Sequence, residues 1–191
     1  MDIERLRELR LAHPFRPFYL VMSDEPPFQL VDTEPAREKA QRLFNLVHSS
    51  LAHLLPSAAD IRHVGATAVL GCLTKGDLDI VVRVPARDFK QVDAVLATRF
   101  ARNEGSIHSE QFSAFEDGST DPHLGIQLTV IDGPEDFFHL LVEALRQSPG
   151  LVSEYNALKR RYDGREMAVY RMAKDAFVER VLATHGRTDD R

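Results

Sequence analysis

The chain has 191 residues, of which 43% are hydrophobic and 28% are charged, and this composition predicts one globular domain with a substantial core. Its net charge of −5 argues against a protein that binds nucleic acid through a general positive field, so nucleic acid is not an expected partner. The single Cys72 excludes an intrachain disulfide, and no apolar run reaches the length of a membrane span. We therefore expect a cytoplasmic protein without a membrane partner.

Residues 1–27 are expected to form an appendage that precedes the main domain. Ile3, Leu6 and Leu9 recur at helical spacing, which predicts a short helix over residues 3–11. The stretch HPFRPFYLVMSDEPP follows, and its prolines exclude a regular helix. This aromatic segment could dock on a partner or on a second copy of the chain, so a homodimer is one expected assembly.

A long helix is predicted near the start of the main domain, which we place at residues 28–186. Thr33 is a candidate N-cap and Pro35 lies in the first turn. Apolar residues then recur every three or four positions up to Pro56, at Ala40, Leu43, Phe44, Val47, Leu51 and Leu54.

The rest of the chain predicts an α+β fold. The segments ADIRHVG, DLDIVVRV, HSEQFSAFED and HLGIQLTVI are short and β-branched or alternating, as strands are, and a helix over 86–99 separates the second from the third. Three helices are predicted after residue 134, in EDFFHLLVEALRQ, in LVSEYNALKRRYD and over 166–184. Together these elements predict a small mixed sheet flanked by helices, with a C-terminal helical layer.

Two acidic residues stand at the start of the strand DLDIVVRV. Asp77 and Asp79 are two positions apart, so their side chains project from the same face. The turn Gly65, Ala66 and Thr67 could let backbone N–H groups approach a phosphate, and Lys75 could offset phosphate charge. Because Mg²⁺ (or Mn²⁺) prefers carboxylate and phosphate oxygens, the pattern favours a nucleoside triphosphate with its metal ion. Alternatively, the acids only end a turn and solubilise an edge strand.

Other polar residues in the middle of the chain have less distinctive surroundings. His63 precedes the turn and could line the cleft and contact the nucleotide, although a half-buried strand histidine is an equal alternative. Glu116, Asp117 and Asp121 could supply a further carboxylate, but a polar hairpin loop explains them better. Cys72 has no nearby base at a telling spacing and fits a small buried residue.

The stretch IRHVGATAVLGCLTKGDLDIVVRV resembles the GrpB-like family of the nucleotidyltransferase superfamily, whose members read close to HIGSTSVPGL and then IDI at this place. FFHLLVEAL, EYNALKRRY and VYRMAKDAFVERVL resemble that family's C-terminal pattern, so the resemblance covers residues 28–184. It implies a nucleotidyltransferase-like protein with a cleft at the acidic strand. Such an enzyme would transfer a nucleotidyl group from a nucleoside triphosphate to an acceptor, which the sequence does not identify.

The resemblance also implies roles for individual residues. Asp77 and Asp79 match the first two of the three carboxylates that hold metal in the superfamily and carry its catalysis, and Gly65 and Thr67 match the turn. In the C-terminal pattern, the matching positions are Tyr155, Lys159, Tyr170 and Lys174. The two lysines could reach phosphates, whereas the two tyrosines are expected to pack between helices.

The chain departs from the superfamily pattern at the third carboxylate. That residue belongs on the strand GIQLTVI, where Ile126, Leu128 and Val130 are expected to face the core. Gln127 and Thr129 would then face the cleft, and neither is a strong metal ligand. An alternative function is therefore a catalytically inactive nucleotide-binding or protein-interaction module on the same fold. A transferase of the antibiotic-resistance or toxin type is a further alternative, by superfamily analogy.

Overall fold

A computed structural model describes residues 25–185 of the chain. The predicted helix over 3–11 and nearly all of the predicted appendage lie outside these residues, so the division at residue 27 stays a prediction. The described residues form five α-helices and five strands: α1 Thr33–Ala52, β1 Asp60–Val64, β2 Leu78–Val84, α2 Ala86–Ala97, β3 Ala101–Arg102, β4 Phe112–Asp117, β5 Leu124–Val130, α3 Phe138–Gln147, α4 Pro149–Tyr162 and α5 Met167–His185. None of these helices is long and apolar enough to cross a membrane.

The strands form one mixed sheet in the order β1-β2-β5-β4-β3. β2 and β5 pair in parallel, and the other neighbours pair in antiparallel fashion. The α+β fold class, the four longer strands and the crossover helix α2 are thereby confirmed. Two short elements escaped prediction, the two-residue strand β3 and a 3-10 turn at Ala66–Ala68, because neither is long enough to show a period.

Two helix starts differ from the predicted ones. The N-cap of α1 is Asp32, whose extended backbone precedes the helix and whose carbonyl accepts the N–H of Ala36 at 3.2 Å, so Thr33 is the first helical residue. The helix predicted from Leu151 begins two residues earlier, at Pro149, because Ser148 caps α4 and its hydroxyl accepts the N–H of Leu151 at 3.3 Å. Pro149 suits the first turn of α4, because the missing N–H has no partner there in any helix.

The two faces of the sheet carry separate apolar clusters. On one face, β2, β5 and β4 pack against α1 and α2, and the buried strand residues of this cluster are Leu78, Ile80, Val82, Val84, Phe115, Leu124, Ile126, Leu128 and Val130. Ile126, Leu128 and Val130 therefore face the core as predicted. On the other face, Val64 and Val81 pack against the helices α3, α4 and α5, so the predicted C-terminal helical layer is confirmed.

Candidate functional site

A cavity of about 900 Å³ lies between the sheet and the C-terminal helical layer. Five residues of the stretch from the glycine turn to the acidic strand line it together, namely Gly65, Ala66, Lys75, Asp77 and Asp79. Strand alternation accounts for the two acids, since positions 77 and 79 project from the same face of β2. The structure therefore brings these five residues together at one end of the cavity.

Asp79 lies between two glycines at the base of the cavity. In the sheet it pairs with Val64 of β1 on one side and with Gly125 of β5 on the other. A Cβ atom built on Gly65 would lie 2.4 Å from Asp79 Oδ2, and one built on Gly125 would lie 3.2 Å from Asp79 Oδ1. Gly65 also has φ 73° and ψ −170°, a conformation that is essentially restricted to glycine. The absence of a side chain at both positions leaves the room that the carboxylate occupies.

The burial of Asp79 and its closeness to Asp77 favour the binding of a cation. Burial raises the pKa of Asp79, and the neighbouring Asp77 raises it further, while Lys174, Lys75 and His123 act in the opposite direction. A carboxylate that is partly desolvated and lies beside a second carboxylate gains stability from a bound cation. Two carboxylates with such mutual repulsion can serve as ligands of a metal ion.

Several cations lie around the two acids. Lys75 forms an ion pair with Asp77, and about 39% of its side chain remains exposed. Lys174 of α5 lines the same cavity and acts electrostatically on Asp79. Arg171 lies one turn earlier on α5, lines the cavity and pairs with Glu25. This end of the cavity therefore combines two acids with basic groups, the charge pattern that a metal-bound phosphate requires.

Thr67 and His63 do not line this cavity. The Thr67 hydroxyl donates to the backbone oxygen of Asp77 at 3.0 Å, so it can accept the Nε2–H of His63, also at 3.0 Å. The His63 ring stacks on Phe44 and lies in a second, smaller cavity beside Arg146. Burial, with contributions from Arg146 and Arg37, lowers the pKa of His63 to about 4, so the ring is neutral near pH 7.

The expectation that His63 lines the cleft is therefore wrong, and its alternative, a hydrogen-bonded strand histidine, describes the structure. The reason is alternation: Val64 faces the cavity, so the preceding residue on the strand must face the other way. The His63–Thr67 pair instead holds the glycine turn against the start of β2. Thr67 is 4% exposed and does not line the cavity, so the structure does not place its side chain in the cavity with the two acids as expected.

Gln127 and Thr129 were both expected to face the cleft, but only Gln127 lines the cavity. Gln127 lines the cavity, and its Oε1 is buried without a hydrogen-bond partner among the described residues. Thr129 is fully buried, with its hydroxyl 3.2 Å from Asp136 Oδ1, and it does not line the cavity. Arg83 binds both oxygens of the same Asp136 at 2.6 Å, so a buried polar cluster covers this part of the sheet.

The candidate third carboxylates separate in the structure. Glu116 of β4 lines the cavity and pairs in register with Gly125, and its Oε2 accepts the Nδ2–H of Asn103 at 3.1 Å. Asp117 accepts hydrogen bonds from Ser119, and Asp121 forms an exposed ion pair with Lys39, as a polar hairpin loop would. Within residues 25–185, no group of three or more His, Cys, Asp or Glu side chains is arranged to hold a metal ion.

The C-terminal pattern contributes the opposite wall of the cavity. Tyr155 stacks on Phe177, and the hydroxyls of Tyr155 and Tyr170 lie 3.5 Å apart, so the tyrosines pack between helices as expected. Lys159 is 1% exposed, lies 3.1 Å from the Cys72 sulfur and donates to the backbone oxygen of Leu73. Its burial lowers its pKa. Cys72 is a small buried residue as predicted, whereas its contact with Lys159 went unpredicted.

Comparisons with known proteins agree on one family. A family model described as GrpB protein matches residues 30–184. A UPF0157 protein of Vibrio cholerae is 29% identical over 172 residues, which cover 90% of this chain and 89% of that protein. The crystal structure of the conserved protein GrpB from Enterococcus faecalis matches with a TM-score of 0.63 at 18% identity, over 82% of this chain and 96% of that chain. A structure of the Cid1 poly(U) polymerase with Mg 3'-dATP bound matches at a TM-score of 0.43 and 13% identity, over 69% of this chain and 39% of that chain.

Proposed function

The chain belongs to the GrpB family, and from that premise we propose that it binds a nucleoside triphosphate with Mg²⁺ or Mn²⁺ at Asp77 and Asp79. One observation carries the proposal: the Asp79 carboxylate fits between Gly65 and Gly125 at the base of a cavity large enough for a nucleotide. The sequence resemblance to nucleotidyltransferases adds the reaction class. In that reading the protein transfers a nucleotidyl group to an acceptor.

The residues present fit one metal ion better than two. Mg²⁺ is usually held by one or two carboxylates together with phosphate oxygens and water, and Asp77 and Asp79 supply that number. A second ion would need a further carboxylate close to both, and the described residues contain no three-acid cluster. When bound, the ion would neutralise charge that develops on the phosphate oxygens.

The chain's own residues would orient the triphosphate. The backbone at Gly65 and Ala66 would approach the β and γ phosphates, because no side chain stands in the way at Gly65. Lys75 and Lys174 would offset phosphate charge as flexible point cations. The Lys159 ammonium is already engaged by the Leu73 carbonyl and the Cys72 sulfur, so its proposed role is to hold that loop rather than to bind phosphate.

The transfer step conserves atoms and charge without a further reactant. An acceptor hydroxyl attacks the α-phosphorus in line, and a new oxygen–phosphorus bond forms. The bond between the α-phosphorus and the oxygen that bridges to the β-phosphorus breaks, and pyrophosphate leaves with the electron pair. The hydroxyl proton passes to water. The cavity's contribution is to align the two reactants and exclude bulk water around them.

A second candidate function is a binding module without catalysis. The observation in its favour is that the described part of β5 places no acid beside Asp79, because Gly125 lies opposite Asp79 and Gln127 lies opposite Val81. On this reading the nucleotide is a bound ligand, and its occupancy changes how the protein meets a partner. Both candidates share the nucleotide site, and they differ in whether a bond to the α-phosphorus breaks.

Calorimetric titration of the four nucleoside triphosphates, with Mg²⁺ and then with a chelator, tests the shared site. We expect saturable, metal-dependent binding that Asp79→Ala abolishes. The matched control is Glu38→Ala, which removes an exposed carboxylate from α1 and should leave the affinity unchanged. Absence of binding with every triphosphate would exclude both candidates.

Transfer itself is measured by following an α-labelled triphosphate in the presence of small-molecule fractions from cells. Label that enters a new product, together with release of pyrophosphate, supports the transferase. Loss of that signal in Asp77→Asn assigns it to this site. Metal-dependent binding without any labelled product across the fractions favours the binding module.

A further inference from the structure

The cavity continues along the sheet well beyond the two acids. Glu116 of β4 lies in register with Gly125, and then Ala114 lies in register with Gln127, and Phe112 with Thr129. Phe112 is thus four strand residues away from Glu116, a distance of about 13 Å. We call the part of the cavity around Phe112, Pro134, Glu135 and Phe138 the far lobe.

Two buried acceptor atoms in and beside the far lobe lack hydrogen-bond partners among the described residues. Glu135 Oε2 is buried and has no hydrogen-bond partner in the described part of the chain. Gln127 Oε1, which belongs to another residue lining the same cavity, is also buried without a partner there. Buried acceptors of this kind normally find donors in a folded protein. The atoms left unpaired here therefore indicate a ligand that brings N–H or O–H groups.

Charge separates along the cavity. Lys75 and Lys174 lie close to the two catalytic acids, as their effect on Asp79 shows. Glu135 forms no ion pair among residues 25–185. A carboxylate without a counter-ion is complementary to a cation, and the basic groups near Asp79 are complementary to a phosphate.

The apolar surface of the far lobe is aromatic. The Phe138 ring stacks on Phe137, with ring centroids 4.6 Å apart, and faces Phe112 at 6.1 Å. Aromatic faces attract cations and apolar groups alike. Burial raises the pKa of Glu135, in agreement with a carboxylate that lacks a cation from the protein.

We propose that the far lobe binds the ammonium end of a small organic amine, with Glu135 as its counter-ion and the Phe138 ring against its apolar body. This inference rests on the proposed function in one respect: the amine is then the acceptor, and its hydroxyl lies at the other end, toward Asp77 and Asp79. The separation along β4 requires an acceptor whose ammonium and hydroxyl are several bonds apart.

The test uses 4-phenylbutylamine and its neutral analogue 4-phenylbutanol as probes, titrated into the full chain without nucleotide. We expect the amine to bind at least tenfold more tightly than the alcohol. Glu135→Gln should reduce the amine's affinity to that of the alcohol, because the amide keeps the shape and removes the charge. Glu166→Gln, the same change at an exposed residue before α5, should have no effect.

Three results would overturn the inference: equal affinity for the two probes, unchanged amine affinity in Glu135→Gln, or no binding of the amine at millimolar concentration. Triphosphate binding is measured separately in the same variants and should survive Glu135→Gln. If the amine binds as expected while no triphosphate binds, the transferase proposal fails and the assignment of the lobe to an amine stands. Near-ultraviolet circular dichroism of each variant confirms that the fold is retained.

Discussion

Replacing Gly65 with alanine tests the close approach between the glycine turn and Asp79. The added Cβ would lie 2.4 Å from Asp79 Oδ2 and 3.0 Å from its Cβ, well inside ordinary contact. The backbone at this position has φ 73° and ψ −170°, which residues with a side chain rarely adopt. Gly65→Ala must therefore strain the backbone and displace the carboxylate.

The expected loss of stability has two parts. A glycine-specific backbone conformation costs a residue with a side chain about 1–3 kcal/mol. Forcing a methyl group into a packed site costs about 1–3 kcal/mol more. We expect Gly65→Ala to lower the free energy of unfolding by roughly 2–6 kcal/mol, a large share of the stability of an ordinary domain.

The structure provides a matched control for the backbone part. Gly71 also has φ 73°, and a Cβ added there would meet no atom within 4 Å. Gly71→Ala should therefore cost only about 1–2 kcal/mol. Urea unfolding, followed by circular dichroism, gives both values, and equal slopes against denaturant show that the two transitions are comparable.

Equal losses in Gly65→Ala and Gly71→Ala would refute the steric reasoning. A second comparison isolates the carboxylate: in an Asp79→Ala background the contact with Oδ2 disappears, so Gly65→Ala should cost about 1–2 kcal/mol less than in the wild type. Calorimetry should also show that Gly65→Ala loses metal-dependent nucleotide binding, because the added methyl group displaces the Asp79 carboxylate from its position beside the glycine turn.

Three further predictions concern buried polar groups. Burial raises the pKa of Asp79 above its unfolded value of 3.8, so the folded state holds the proton more tightly and the wild type loses stability as pH rises. Urea unfolding should therefore show that Asp79→Asn gains stability relative to the wild type between pH 4 and 7, by roughly 1 kcal/mol. Asp136→Asn should lower the free energy of unfolding at pH 7 by about 3–5 kcal/mol, because Arg83 loses its main counter-ion, and urea midpoints measure the loss. Burial alone would raise the pKa of Asp136, but the hydrogen bonds from Arg83 lower it below 3.8. The greater stability of the wild type over Asp136→Asn should therefore vanish as pH falls below 3.8. Asn156→Ala should lower the free energy of unfolding by about 2 kcal/mol. It should also speed hydrogen exchange at the Leu73 amide, whose N–H donates to Asn156 Oδ1 at 2.8 Å.

Most of the fold followed from local periodicity, and the exceptions have local causes. β2 and β5 are long enough to show their buried face in sequence, whereas β3 has two residues and shows none. The start of α4 was missed because Ser148, Pro149 and Gly150 are typical of a break as well as of a capped first turn. In the structure the serine caps the helix and the proline continues it.

The site was predictable where its residues lie close together in sequence. A span of 15 positions contains Gly65, Lys75, Asp77 and Asp79, so a turn followed directly by a strand brings them close together. Gly125 also left a signal: it is the immediate neighbour of the core-facing Ile126, so strand alternation places it on the cleft face. Its position opposite Asp79 could not be predicted, because that depends on the parallel register of β2 and β5.

Contacts between distant segments could not be anticipated in the same way. Arg83 and Asp136 are 53 residues apart, and their pairing depends on how the loop after β5 folds back over the sheet. Lys159 and Cys72 meet across 87 residues, through the docking of α4 against the loop before β2. No spacing in the sequence distinguishes either pair from other charged or sulfur-containing residues.

The cavity lies on the sheet face that packs against α3, α4 and α5. On that face α3, α4 and α5 pack over Val64 and Val81, while Ala114 and Gln127, on the two strands beyond, line open space. Neither of these two residues belongs to either apolar cluster. A protein engineer could therefore change what the cavity accepts by substituting at Ala114 or Gln127 and leave the packing of both clusters intact.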